Sequence, residues 1–467
     1  MTDALRSVGR FTWSMSVFGA SQAAQMVAGL GRTGAGAELA AALDTVSGEA
    51  ERRLGPQMKE LLRTGDALQR GGLDAAFDAG EPWLLGTKSV AAAVALRGSL
   101  GMAELAARTA DPALGGASRR RLRTLRDRME VFQWFQFAPS ILRLPAPRDG
   151  AAAATEAGSA AVRATGRATG RDRETFEALW LLEGLGYAHG EAAWDGEVLL
   201  ESRLRFDPKP PREHRLPLHT GLGLSLARRF LPRLRAAEGP ELVERLADFR
   251  DLCRRSALPG YGLPVFEALG LCVRQMAADR LGAFDRALGD LPPDGDDGGA
   301  PGEARAAFWH GVGRALVFLP SQLPPVSIGR PLWKARAEAP DDLGRRNAAA
   351  GVAWAVTLAH LRHPEILETF LERALPADER DTSIRDAIAH GIQGALSIWI
   401  HHVAPLYTDP PAREPWLSAL VSHRPEGAAE ERWRALVAEP ARAAAAAQGS
   451  PELPWRSAFR ILPEGAP

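Results

Sequence analysis

From residue 171 onward apolar positions recur at spacings of three and four, the period of helices with one buried face, and strand-like alternation is almost absent. Glu241 to Phe249 carries such a stripe, and so does Pro364 to Glu372, where the proline is well placed for a helix start. Between these amphipathic segments lie stretches of a second kind, in which small residues replace the large apolar ones. They are Glu183-Gly184-Leu185-Gly186-Tyr187-Ala188, Thr220-Gly221-Leu222-Gly223-Leu224-Ser225, Glu267-Ala268-Leu269-Gly270-Leu271-Cys272, His310-Gly311-Val312-Gly313-Arg314-Ala315, Ala350-Gly351-Val352-Ala353-Trp354-Ala355 and His390-Gly391-Ile392-Gln393-Gly394-Ala395. Their second members fall at 184, 221, 268, 311, 351 and 391, the spacing of a two-helix repeat of about 40 residues.

In every copy the second and sixth members are small, four residues apart and so on one helical face, along which helices can approach closely. A glycine inside a helix costs about 1 kcal/mol against alanine, which packing has to offset. The pattern predicts an all-α protein: a helical-repeat array of two-helix units, either an open α-solenoid or a closed α/α toroid. A phosphate-cradling loop is not indicated, because no strand-like run precedes the glycines and their spacing is not that of a dinucleotide site.

Composition shifts divide the chain. Residues 1–145 read as a separate N-terminal helical region; 146–170, rich in alanine, glycine and threonine, as a flexible linker; 171–425 as the repeat domain; and 426–467, rich in alanine and proline, as a partly ordered tail. Phe11 to Gly31 carries no charge, yet Ser14, Ser16, Ser21, Gln22 and Gln25 make it too polar for a membrane span, and a buried or surface-lying helix is expected. Peripheral membrane contact through 11–31 is the lesser alternative. The arginines between Arg119 and Arg128, followed by Phe132, Trp134, Phe135 and Phe137, read as a solvated basic face leading into a core helix rather than a base-stacking platform.

The 57 basic and 57 acidic residues of this 467-residue chain balance, so nothing draws the whole molecule toward nucleic acid. Two cysteines, Cys253 and Cys272, in a chain of this length point to a reduced, cytoplasmic protein without a disulfide framework.

The first member of each small-residue segment is Glu183, Thr220, Glu267, His310, Ala350 or His390, so four of six copies place a titratable group at an equivalent position. If that side of the helices lines a groove, these groups converge. Glu183, Glu267, His310 and His390 are therefore the candidates for acid/base catalysis. Arg314 is the only charged residue past the first position of any segment, one turn from His310, and an acidic neighbour such as Glu267 or an acidic ligand group would satisfy both. Arg314, His310, Glu267, Trp309 and Trp354 are the candidate ligand-binding residues. His360 and His363 have helix-compatible metal spacing but run into Pro364, which marks a helix end; neither a metal nor a cofactor is expected. No Gly-x-Ser-x-Gly elbow or suggestively partnered cysteine is present, so covalent hydrolysis has no support.

Through Glu183-Gly184-Leu185-Gly186-Tyr187-Ala188, Phe266-Glu267-Ala268-Leu269-Gly270, His310 to Leu316 and Ala350-Gly351-Val352-Ala353, residues 171–420 resemble the domain-of-unknown-function 1702 family, found beside enediyne polyketide synthase genes. Leu182, His219 and Ala389 replace aromatic residues before the glycines, and about 150 N-terminal residues are extra. The resemblance implies a setting in specialised metabolism and carries no catalytic residues. Three functions are expected: a biosynthetic accessory protein binding an apolar small molecule or polyketide intermediate in a helical groove, a scaffold for a protein partner, or an α/α-toroid enzyme using Glu and His acid/base chemistry.

Overall fold

The computed structural model describes residues 171–195, 198–201, 204, 206, 209–210, 212–292, 302–318, 328–375, 382–399 and 414–446, with residues 123, 124, 127, 128 and 131. By backbone proximity the chain forms two compact units, Met1–Gln133 with Leu323–Pro325, and Trp134–Gln322 with Val326–Pro467. In the first unit the described residues are helical, with Asp127, Arg128 and Val131 buried. The expected linker at 146–170 and the uncharged segment 11–31 lie outside the described residues.

The described part of the second unit is all-α apart from one hairpin. In order it comprises α1 (Arg171–Ala192), β1 (Trp194–Asp195), β2 (Val198–Leu199), α2 (Arg212–Ala236), α3 (Gly239–Ser256), α4 (Gly262–Met276), a 3-10 turn (Ala278–Arg280) and α5 (Leu281–Gly289), then α6 (Glu303–Phe318), α7 (Arg330–Glu338), α8 (Asp342–Ala359), α9 (Pro364–Ala374), α10 (Thr382–Ile398), α11 (Glu414–Ser422), α12 (Ala428–Trp433), a π-helical turn (Arg434–Ala438) and α13 (Glu439–Ala446). The hairpin is antiparallel, Trp194 opposite Leu199. No described helix is long and apolar enough to cross a membrane. Helices continue to Ala446, past the point where a tail is expected, because Trp433, Leu436, Val437 and Ala441 are buried.

Two kinds of helix result, as the two sequence patterns require. Helices α3 and α9 bury one stripe, Leu242, Leu246, Phe249 and Leu252 in the first and Ile366, Leu367, Phe370 and Leu371 in the second. By contrast α6 is buried at every residue from Ala306 to Phe318, and α8 at every residue from Asn347 to Ala359. The helices that carry the small-residue segments pack in single file: α1 on α2, α2 on α4, α4 on α6, α6 on α8 and α8 on α10. The amphipathic helices cover this row, α3 on α4, α5 on α6, α7 on α6 and α8, and α9 on α8.

The glycines explain the single file. A methyl group added to Gly221, Gly311, Gly351 or Gly391 would collide with the backbone carbonyl of the first segment member in the preceding helix, respectively Glu183, Glu267, His310 and Ala350. One added to Gly186, Gly223, Gly270 or Gly313 would collide with the carbonyl two residues before the segment in the following helix, respectively Leu218, Val265, Phe308 and Ala348. Helices α2 and α6 thus use the second member against one neighbour and the fourth against the other, and the other four helices show one of the two contacts each. These positions lie about 200° apart, which places the contacts on opposite sides of the helix. The expected pairing of second with sixth accounts for only one of those sides.

At Gly270 and Gly313 the obstruction is rigid backbone, so alanine there lowers stability by about 1–3 kcal/mol through overpacking, although it improves helix propensity by about 1 kcal/mol. Gly282 in α5 provides the opposite case, since an added methyl group meets only the end of the Arg286 side chain at 3.6 Å. Gly282→Ala raises stability by up to about 1 kcal/mol. Urea unfolding midpoints read both signs, and a loss at all three positions would remove the close approach as the reason for the glycines.

Candidate functional site

Members one and five of the first five segments lie between the two contact faces, about 100° or less from either neighbour, and so project to the same side of the row. They are Glu183 and Tyr187 on α1, Thr220 and Leu224 on α2, Glu267 and Leu271 on α4, His310 and Arg314 on α6, and Ala350 and Trp354 on α8, all buried. Four helices in line at about 8 Å spacing would hold α1 and α6 about 24 Å apart. Yet Arg314 of α6 reaches Glu183 of α1, and Trp180 of α1 meets Phe318 of α6 edge-on with ring centroids 6.2 Å apart. The row therefore curls, with members one and five on its inner side.

At the centre of the curl lies an ion cluster. Arg314 Nη1 donates to Glu267 Oε2 at 2.7 Å and Nη2 to Glu183 Oε1 at 3.3 Å, while His310 Nδ1 donates to Glu267 Oε1 at 2.9 Å. The Trp354 ring lies beneath the guanidinium, its centroid 4.3 Å from Cζ. Glu183 is 5% exposed, Arg314 2%, and Glu267 and His310 are fully buried.

Burial raises both carboxyls, and their unequal shares of Arg314 and His310 separate them. Burial pushes the Glu183 carboxyl above its usual range, with the nearby Glu267 charge adding to the effect and Arg314 opposing it. Burial alone would raise Glu267 as well, but the Arg314 charge and the His310 hydrogen bond outweigh it and hold that carboxyl below the usual range. For Arg314, burial opposes the charge, and the two glutamates overcome it.

Of the sequence-derived candidates, the structure brings together Glu183, Glu267, His310, Arg314 and Trp354. It places Trp309 elsewhere: its indole is buried on another side of α6 and donates from Nε1 to Asp285 Oδ1 at 2.7 Å. His390 lies on α10 and is only half-buried. His360 closes α8 and His363 precedes α9, the helix boundary that Pro364 marks in the sequence. His219 is held by its neighbours, Nδ1 donating to the Arg215 carbonyl and Nε2 accepting from Leu258 N–H at 3.0 Å, and burial lowers its pKa to about 4. Cys253 and Cys272 are buried free thiols, and burial pushes Cys272 up to about 12. Among the described residues no three His, Cys, Asp or Glu side chains are grouped to hold a metal ion.

Two features have no clear sequence signature. Asp285 accepts two hydrogen bonds from Arg305, which also reaches Asp341, the N-cap of α8, so that one network ties α5, α6 and α8 together. An open groove of about 420 Å³ runs between the hairpin and helices α2 and α3, with Trp194, Phe230 and Leu252 among its apolar residues and Arg233, Arg255 and Asp251 among its charged ones.

The chain matches no protein-family model, no curated protein and no solved structure.

Glu267→Gln leaves Arg314 with the more distant carboxyl alone and lowers stability by about 3–5 kcal/mol, read as a fall in melting temperature. The sign with pH follows from the depressed Glu267 carboxyl. Its contribution is present above the unfolded-state value of 4.5 and is lost as pH falls through the lower folded-state value, so the gap between wild type and variant closes in acid. A gap that stays constant down to the acid limit would show that Glu267 does not ion-pair.

Proposed function

We propose that this chain is a helical-repeat scaffold that recognises another protein through its outer surface, with its interior given over to holding the curl. The observation that carries this reading is the closure of the ion cluster: the groups best suited to grip or transform a ligand are at most 5% exposed and engage one another. An apolar-ligand groove or an acid/base centre at these residues needs access that they lack. The ordered row of inner helices supports an α-solenoid, in which each unit contacts its neighbours. The packing of α10 on the π-helical turn and α13 supports a capped far end.

One accessible feature among the described residues is the groove beside the hairpin. Apolar residues between charges of both signs suit an anchor side chain of a partner protein flanked by polar neighbours. Val198, 62% exposed in β2, extends the apolar surface at its edge. The resemblance to the domain-of-unknown-function 1702 family supports a setting in specialised metabolism, where such a scaffold would serve biosynthetic enzymes. The genes beside this one bear directly on that setting.

Arg233→Glu combined with Arg255→Glu tests the reading. Exposed substitutions of this kind change stability by no more than about 0.5 kcal/mol each. The double variant therefore melts like wild type but loses at least about tenfold in affinity for a biosynthetic enzyme that co-purifies with the wild-type chain, measured by titration calorimetry with the purified pair. Unchanged affinity, or an apolar small molecule that raises the melting temperature of wild type but not of Arg314→Lys, would overturn it.

A further inference from the structure

The charges of the cluster do not balance if every carboxyl is ionised and His310 is a neutral ring. Glu267 accepts from both Arg314 and His310 within 2.9 Å, which requires it to be the carboxylate, and it neutralises the guanidinium. Glu183 has one weaker hydrogen bond, at 3.3 Å, from a guanidinium already engaged with Glu267. A second carboxylate would leave net negative charge in a closed site, and an imidazolium at His310 would set two cations one helical turn apart.

Among the described residues, neighbouring elements supply no further cation to Glu183. Helix α2 faces α1 with Thr220, whose hydroxyl donates to Leu216 O, and with His219, whose two ring nitrogens are engaged. Arg228 and Arg229 of α2 are engaged by Glu191, two turns along α1. Helix α4 presents Glu267 and the Cys272 thiol, α6 presents Arg314 and His310, and α8 presents the Trp354 ring.

We propose that Glu183 is held as a neutral carboxylic acid in the folded protein at neutral pH, and that this single proton latches α1 to α4 and α6. Loss of the proton leaves two carboxylates against one guanidinium, and α1 is then held less tightly. The direction in which burial drives the Glu183 carboxyl agrees. Because the folded-state value is raised, the latch's contribution is fully present below the unfolded-state value of 4.5 and is lost as pH rises through the folded-state value. The latch concerns the inside of the curl and stands or falls separately from recognition at the surface.

The test uses the full chain and Glu183→Gln, whose amide imitates the neutral acid in size and charge. The infrared spectrum of wild type at neutral pH shows the carbonyl stretch of a protonated carboxylic acid, and Glu183→Gln lacks it. The variant melts within about 2 °C of wild type below pH 4.5 and above it at neutral pH, because the decline of wild-type stability on raising the pH is flattened in the variant. Absence of the band from wild type, its persistence in Glu183→Gln, or a variant that melts roughly 10 °C lower or fails to fold would each overturn the proposal.

Discussion

The fold rests on backbone lying against backbone. At successive crossings in the inner row a carbonyl oxygen occupies the place where a side chain would begin, and only glycine leaves that place open. Such contacts fix both the separation and the axial register of adjacent helices, since a helix displaced by one residue presents a Cβ to the carbonyl. In α2 and α6 the second and fourth members are committed to the two neighbours, which leaves members one and five pointing to one side. The burial of Glu183, Glu267, His310 and Arg314 follows from the crossing geometry before any attraction between them is considered.

Once those side chains share a closed space, electrostatics decides their arrangement. A buried guanidinium is tolerated when its desolvation is offset by charge and hydrogen bonds together, and Arg314 obtains both from Glu267. Its second nitrogen extends the set to Glu183, 131 residues away in sequence. Apolar packing alone permits sliding, whereas a planar fork held between two carboxyls permits very little. The cluster fastens the curl that the helix crossings produce. The Trp354 ring lies against the face of the guanidinium, 4.3 Å from Cζ to its centroid.

The covering helices are joined by polar contacts of a different kind. Asp285 collects Arg305 and the Trp309 indole, and Asp341 caps α8 while sharing Arg305. Arg274 of α4 forms a two-pronged pair with Glu338 of α7, at 2.7 and 2.9 Å. These links span neighbouring units from the side, so that the row is braced inside by one cluster and outside by several. Apolar side chains meet solvent in the groove between the hairpin, α2 and α3, and at Trp333 of α7.

The sequence by itself determined the helical class, the two kinds of helix and the equivalence of the titratable first positions, because helical period, glycine content and proline punctuation are local properties. It also marked Arg314 as a cation in need of an acid, Glu267 or an acidic ligand group, since a lone cation in an apolar segment requires one. It did not determine that the fourth glycine carries as much as the second, because the significance of a missing side chain appears only when a neighbouring carbonyl stands in its place. Nor did it determine that Glu183 meets Arg314 across three intervening helix contacts, or that Trp309 turns away from the cluster toward Asp285. Those outcomes depend on how far the row curls. That is the sum of small rotations at successive helix crossings, and no single segment encodes it.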